Sequence, residues 1–197
     1  VITRFRVNGK ILPAWRIQDV MTHPEHRGQG YLHKLGERCL ADMRACGALG
    51  YTFPNHLSEK SFRRTGWTEL CHVPVRSMSI AAVDSEHTYL EEIPGNFDIR
   101  ATQIWDDAPF RVSVHRDQQY LSWRYQKPGS KYFRFISNDS KSLLILKLYG
   151  SGESRALHIC DLIVSQEDTE KHVERLLIYA ISFGLRNGAT RLTAWLH

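Results

Sequence analysis

The segment His23-Pro24-Glu25-His26-Arg27-Gly28-Gln29-Gly30-Tyr31 places two glycines and an arginine directly before a stretch with helical periodicity. That order suits an anion. The first turn of a helix exposes unpaired N–H groups and the positive end of the macrodipole. Glycines ahead of it let a phosphate approach the backbone, so a pyrophosphate fits, and Arg27 can add a charge-assisted contact. A lone Gly-x-Gly is nevertheless a weak signal, because tight turns use glycine constantly. From this loop alone, the purely structural reading carries equal weight.

Other groups offer less. His23, His26 and His33 could suggest a metal, but no thiolate or carboxylate completes a ligand set, and surface or turn histidines explain them. The run "YLSWRYQKPGSKYFRF" could stack on single-stranded nucleic acid, yet its aromatics are read first as core. A formal charge of +5 suits a nucleotide or nucleic acid and decides neither. The cysteines Cys39, Cys46, Cys71 and Cys160 have no CxxC spacing, which suggests reduced thiols in a cytoplasmic protein. No apolar run approaches the ~20 residues needed to span a bilayer. The chain starts at Val1 and stops within "RLTAWLH", which raises the expectation of a fragment of a longer protein.

The elements that must position the loop are legible. Residues 4–7 and 11–22 read as a hairpin around Asn8-Gly9. A helix begins near Gly30, with Leu32, Leu35, Cys39, Met43 and Cys46 on one face and Gly47 at its C-terminal cap. The strand "ALGYTF" follows, closed by Pro54-Asn55. Ser58–Arg64 forms a short helix ended by Thr65-Gly66, and "WTELCHVPVRSMSI" is extended. Strand, glycine loop, helix and strand indicate an α/β fold.

Beyond Pro94-Gly95, 97–108 and 117–125 can be helical. Residues 132–136, 142–149 and 155–164 read as strands, and 169–186 as a long helix with Val173, Leu177, Ala180, Ile181 and Gly184 inward. A further strand follows Asn187-Gly188. Leu162, Val164 and Leu192 complete the expected core. The halves repeat each other: "QDVMT" matches "CDLIV", and "CGALGYTF" matches "NGATRLTA". The loops differ, since "HPEHRGQGY" is basic and glycine-rich whereas "SQEDTEKHV" has no glycine and three acids. The expected domains are 1–82, a connection at 83–95, and 96–197.

These residues carry a resemblance. Arg27-Gly28-Gln29-Gly30-Tyr31-Leu32 resembles the coenzyme A loop of the GNAT acyltransferases, Arg/Gln-x-x-Gly-x-Gly/Ala, with Leu32 in place of the final small residue. "THPEHRGQG" is similar to the family's "VHPEYRGKG". "FPNHLSEKSFRRTGW" is similar to its Asn-containing strand end, short helix and following strand. The resemblance covers about residues 4–80 and extends to bacterial proteins with two GNAT-like domains in tandem, where "FPN" and a second-domain "WRY" recur, here Trp123-Arg124-Tyr125.

It implies a mixed β-sheet flanked by helices, in two partial GNAT-like units, and acetyl-coenzyme A as acyl donor without a metal. Val20, Met21 and Thr22 would hold the pantetheine arm and thioester carbonyl through backbone amides. Arg27, Gly28, Gln29, Gly30, Tyr31 and Leu32 would take the pyrophosphate, and Asn55, Ser58 and Phe62 would line the cofactor. Asp19 is the best-placed carboxylate for accepting the amine's proton. Phe62 stands where many members place the tyrosine that protonates the leaving thiolate. The implied reaction is acyl transfer to the amine of a small molecule or peptide. The alternative is a non-catalytic tandem module that binds coenzyme A or a protein. A transferase using charged tRNA has no motif here, and neither a membrane nor a nucleic-acid partner is expected.

Overall fold

The computed structural model describes residues 2–81 and 89–195, so part of the expected connection at 83–95 lies outside the described residues. The chain divides into two compact units. The first comprises 1–71 and 110–115, and the second 72–109 and 116–197. The division falls at Cys71 rather than 82, because β4 (Val75–Ser79) pairs antiparallel with β10 (Arg191–Trp195) of the second unit.

In the first unit, β1 (Ile2–Val7) and β2 (Lys10–Ile17) form the expected hairpin. Asn8 and Gly9 take φ of 47° and 81°. Two successive positive φ values define the type I′ turn, whose twist matches that of the strands it joins. A helix α1 (Tyr31–Ala45) carries the chain to β3 (Leu49–Thr52), which pairs parallel with β2, and α2 (Glu59–Arg64) follows. The sheet order is β3-β2-β1-β6, where β6 (Val112–Val114) is contributed from far along the chain.

The glycine at the end of α1 acts as expected. Gly47 (φ 62°) donates to the Arg44 carbonyl and Ala48 to that of Met43, which is a Schellman closure. The inward face of α1 keeps Leu32, Cys39 and Met43 of the expected set and loses the other two. Leu35 is 62% exposed and Cys46 is exposed, while Met43 is buried. A Cβ on Gly36 would stand 3.1 Å from Thr65 Cγ2, so Gly36 belongs to the packed side. Leu32, Gly36, Cys39 and Met43 then form one helical face, with Gly36 in place of Leu35.

The second unit is a sheet of order β4-β10-β9-β8-β7-β5, with β5 at Leu90–Glu92, β7 at Phe133–Ser137, β8 at Ser142–Tyr149 and β9 at Ala156–Val164. The run Leu143-Leu144-Ile145-Leu146 in β8 has no exposed member because both faces of the sheet are covered. On one face Leu143 and Ile145 pack with Phe97, Trp105 and Leu121 from α3 (Ile99–Asp107), the segment before it, and α4 (Gln118–Tyr125). On the other, Leu144 and Leu146 pack with Leu176 and Ala180 of α5 (Thr169–Arg186). Leu177, expected inward, is 36% exposed, and Leu176 takes its place. Most aromatics of the 120–135 run are core here: Tyr125 and Phe135 are buried, although Trp123 is exposed.

One local arrangement occurs in both units. A β-hairpin (β1-β2 or β8-β9) leads into a helix and then a strand parallel to the hairpin's second arm, β3 or β10.

Gly50 in β3 tests the packing of α1. A Cβ there would lie 2.7 Å from Met43 Sδ and 2.9 Å from Trp67 Cη2. Methionine can give way, but the Trp67 ring is braced edge-on by Phe62. Gly50→Ala should therefore lower stability by about 1–3 kcal/mol, read as a lower urea midpoint at unchanged slope.

Candidate functional site

The β2–β3 ladder stops at the pair Ile17 and Thr52, where Thr52 Oγ1 donates to the Ile17 carbonyl at 3.0 Å. Strand geometry ends there rather than at Thr22, because Asp19 sits at φ 54° in the left-handed region. That conformation cannot continue a strand. The amides of Val20, Met21 and Thr22 make no backbone hydrogen bond among the described residues. Val20 and Met21 are exposed, as is Asp19, and the Asp19 side chain has no ion-pair partner within 4 Å among the described residues.

A single 3-10 turn at Pro24–His26 then aims the chain toward α1. Arg27 is exposed, and its Nε donates to the Thr22 carbonyl at 3.2 Å. Gly28 and Gly30 take φ of 77° and 75°, and a Cβ on either would meet nothing within 4 Å. The glycines are required by their backbone conformation, and the space above them is open. Gly30 is the N-cap of α1 and supplies no side-chain cap, and no acid occupies the first turn. The first helical amide bond is Lys34 to the Gly30 carbonyl, at 3.1 Å. The amides of Gly28 through His33 make no backbone hydrogen bond among the described residues. Amides without backbone partners, the start of α1 and Arg27 thus lie together in one exposed loop.

The downstream residues behave differently. Asn55 Oδ1 accepts from the Leu57 amide at 3.1 Å and the Ser58 amide at 3.0 Å, and Ser58 Oγ is 3.1 Å from the same oxygen. Both side chains are occupied in starting α2. Phe62 is only 6% exposed, so its ring serves as core against Trp67 and not as an open wall of the site.

The equivalent turn of the second unit keeps the backbone conformation and changes its charge. Asp168 caps α5 at φ 50°, the left-handed region that Gly30 uses. Glu170 stands in the first turn, and Glu167 pairs with Lys141. Lys141 holds the Glu167 carboxyl below its usual range. An incoming phosphate would meet carboxylates here.

A buried network in the second unit was not visible in the sequence. Asp161 accepts from Tyr125 Oη at 2.7 Å and from Arg116 Nε at 3.1 Å. It lies beside a β-bulge, where Cys160 is the extra residue of β9 opposite Ile145 and Leu146. Burial, reinforced by the Asp161 charge, holds the Tyr125 phenol far above its usual range. The same two causes push the Cys160 thiol up to about 12. Burial opposes the charge of Arg116, but Asp161 and neighbouring tyrosines keep its pKa raised. Among the described residues there is no group of three His, Cys, Asp or Glu side chains that could hold a metal ion.

Residues 1–70 match the family model described as the acetyltransferase (GNAT) domain. No curated protein matches the sequence. Among solved structures, the GCN5-related N-acetyltransferase from Anabaena variabilis is similar with a TM-score of 0.72 at 12% identity, covering 98% of this chain and 50% of its own. The GCN5-related N-acetyltransferase from Kribbella flavida gives 0.69 at 16%, covering 100% and 49%. N-myristoyltransferase from Saccharomyces cerevisiae, solved with bound myristoyl-CoA, gives 0.59 at 10%, covering 98% and 58%. At these identities the likeness establishes the fold, a mixed α/β GNAT-like architecture. The chain spans about half the length of these proteins.

The Asp161 network gives a stability test. Asp161→Ala removes the buried carboxylate to which Arg116 and Tyr125 both donate, and should cost about 3–5 kcal/mol. Tyr125→Phe removes one donor and should cost about 1–3 kcal/mol. Equal losses in urea unfolding would contradict a network centred on the charge pair.

Proposed function

We propose that the protein transfers an acyl group from coenzyme A to an amine, a reading supported by the match of residues 1–70 to the acetyltransferase (GNAT) domain model. Acetyl-coenzyme A is the donor, and its pyrophosphate lies on the amides of residues 28–32. The observation that carries this reading is the pair of left-handed glycines with open space above them, ahead of an uncapped helix with no acid in its first turn. Gly30 supplies no side-chain cap, so the first-turn N–H groups are left for an anion to complete.

The chemistry follows from the end of β2. The amides at Val20, Met21 and Thr22 polarise the thioester carbonyl and stabilise the negative charge that develops on it. Asp19 takes the proton of the attacking amine, directly or through water. Phe62 has no proton to give, so the thiolate departs unassisted or is protonated by water, which its pKa near 8.5 permits. The acceptor is an amine of a small molecule or peptide.

The second unit is read as a degenerate GNAT-like copy in tandem with the first. The shared hairpin–helix–parallel-strand arrangement supports this, as does a likeness to solved structures that runs over 98% of the chain or more. Phe62 also keeps a second reading open, a tandem module that binds coenzyme A or a protein without catalysis. Among the described residues no helix is long and apolar enough to cross a membrane, and a cytoplasmic location suits the free cysteines.

Calorimetry with coenzyme A should give one site per chain, and two equivalent sites would sink the assignment. Gly30→Asp should nearly abolish binding, since it puts a side chain and a negative charge where phosphate must approach. Arg27→Ala should weaken it by roughly tenfold to a hundredfold. Replacing Glu167, Asp168 and Glu170 together by alanine should leave coenzyme A affinity unchanged. Transfer assays over a panel of amines separate the catalytic reading from the binding module: turnover with any of them establishes the first.

A further inference from the structure

The second unit holds an open cleft of about 640 Å³, between residues 94–96, the C-terminal end of α4 and the turn at 129–132. Its lining includes Gly95, Asn96, Gln126, Ser130, Lys131 and Arg134, and no aspartate or glutamate. We propose that this cleft binds a small organic anion, a carboxylate or phosphate ester, on Lys131 and Arg134. The site is separate from the loop at residues 28–32, and nothing in it depends on that loop's role.

Arg134 is held rigidly. Its Nη1 donates to the Gly95 carbonyl at 2.9 Å and its Nη2 to the Pro94 carbonyl at 3.3 Å, while the guanidinium lies 5.5 Å from the Phe97 ring centre. These partners fix its orientation and are neutral, so its charge is not cancelled. The Lys131 ammonium sits 5.1 Å from the Phe133 ring centre, and no carboxylate of a described residue approaches it within ion-pair distance.

Two acids that flank the 94–96 wall are paired with another arginine. Arg100 pairs with Glu91 at 2.6 Å and with Asp98 at 2.7 Å. Tyr125, which forms part of the wall, commits its hydroxyl to Asp161 and brings no negative charge. Asn96 and Ser130 add neutral donors at the rim, and Gly129 (φ 75°) turns the backbone tightly beside them. Two uncancelled cations on one concave surface, one of them preorganised, form an anion receptor. The planar guanidinium favours the planar or tetrahedral oxygens of carboxylates and phosphates over halide.

Nitrogen-15 NMR on the full chain tests this, with titrations of citrate and of phenyl phosphate at constant ionic strength. Saturable shifts are expected at the amides of Gly95, Gly129 and Lys131 with at least one probe. Lys131→Gln, an exposed position that should fold normally, should weaken that binding at least fivefold, whereas Lys10→Gln on the first hairpin should not. Arg134→Lys, which keeps the charge and loses the paired contacts that orient it, should weaken it as well. Three results would overturn the proposal: no saturable shift with either probe, unchanged affinity in Lys131→Gln, or tighter binding of a single-stranded oligonucleotide than of both small anions at these amides.

Discussion

The parallel pairing of β2 with β3, and its end at Ile17 and Thr52, is the constraint on which the first unit depends. A parallel pair needs a crossover, and α1 is that crossover. Its start is therefore fixed just beyond the point where the ladder fails. Asp19, in the left-handed region, breaks the strand and leaves the amides of Val20–Thr22 without strand partners. A few residues later the amides of Gly28–His33 are also without backbone partners. Unpaired backbone donors are costly if buried. Here they lie at an exposed edge, where a ligand can complete them.

The second unit has the same local arrangement with a different charge at its turn. Its strand β9, helix α5 and strand β10 repeat the parallel crossover, and Asp168 repeats even the left-handed cap. The acids at the turn stabilise the helix dipole from within. The Tyr125–Asp161–Arg116 network satisfies the polar groups beside the bulge in β9 internally. Folding alone accounts for this turn, and an anion would be repelled by it. Charge at a helix start, more than backbone shape, separates the two turns.

Both units also show how a few glycines set packing distances. Gly36 and Gly50 let α1, α2 and β3 approach where Thr65, Met43 and Trp67 fill the space. In the second unit Gly184 does the same for α5, where a Cβ would lie 3.0 Å from Ile80 Cδ1. A methyl group at any of them would require its neighbours to shift, because interiors are packed to crystal-like density.

The sequence by itself determined the local chemistry: the Asn8-Gly9 turn, the Gly28 and Gly30 loop, the Gly47 closure and the whole of α5. Each rests on residues adjacent in the chain, where a positive φ or a 3.6-residue period is written into neighbouring side chains. Tertiary structure decided what adjacency cannot encode. It assigned Val75–Ser79 to the second sheet and returned Val112–Val114 to the first, since three to five residues carry too short a pattern to name a distant partner. It turned α1 onto Gly36 instead of Leu35, and α5 onto Leu176 instead of Leu177, because the facing surface selects among apolar neighbours. It also occupied Asn55, Ser58 and Phe62 with capping and core packing, and joined Asp161 to Arg116 across 45 residues. Burial made that pairing necessary, and burial exists only once the layers have closed.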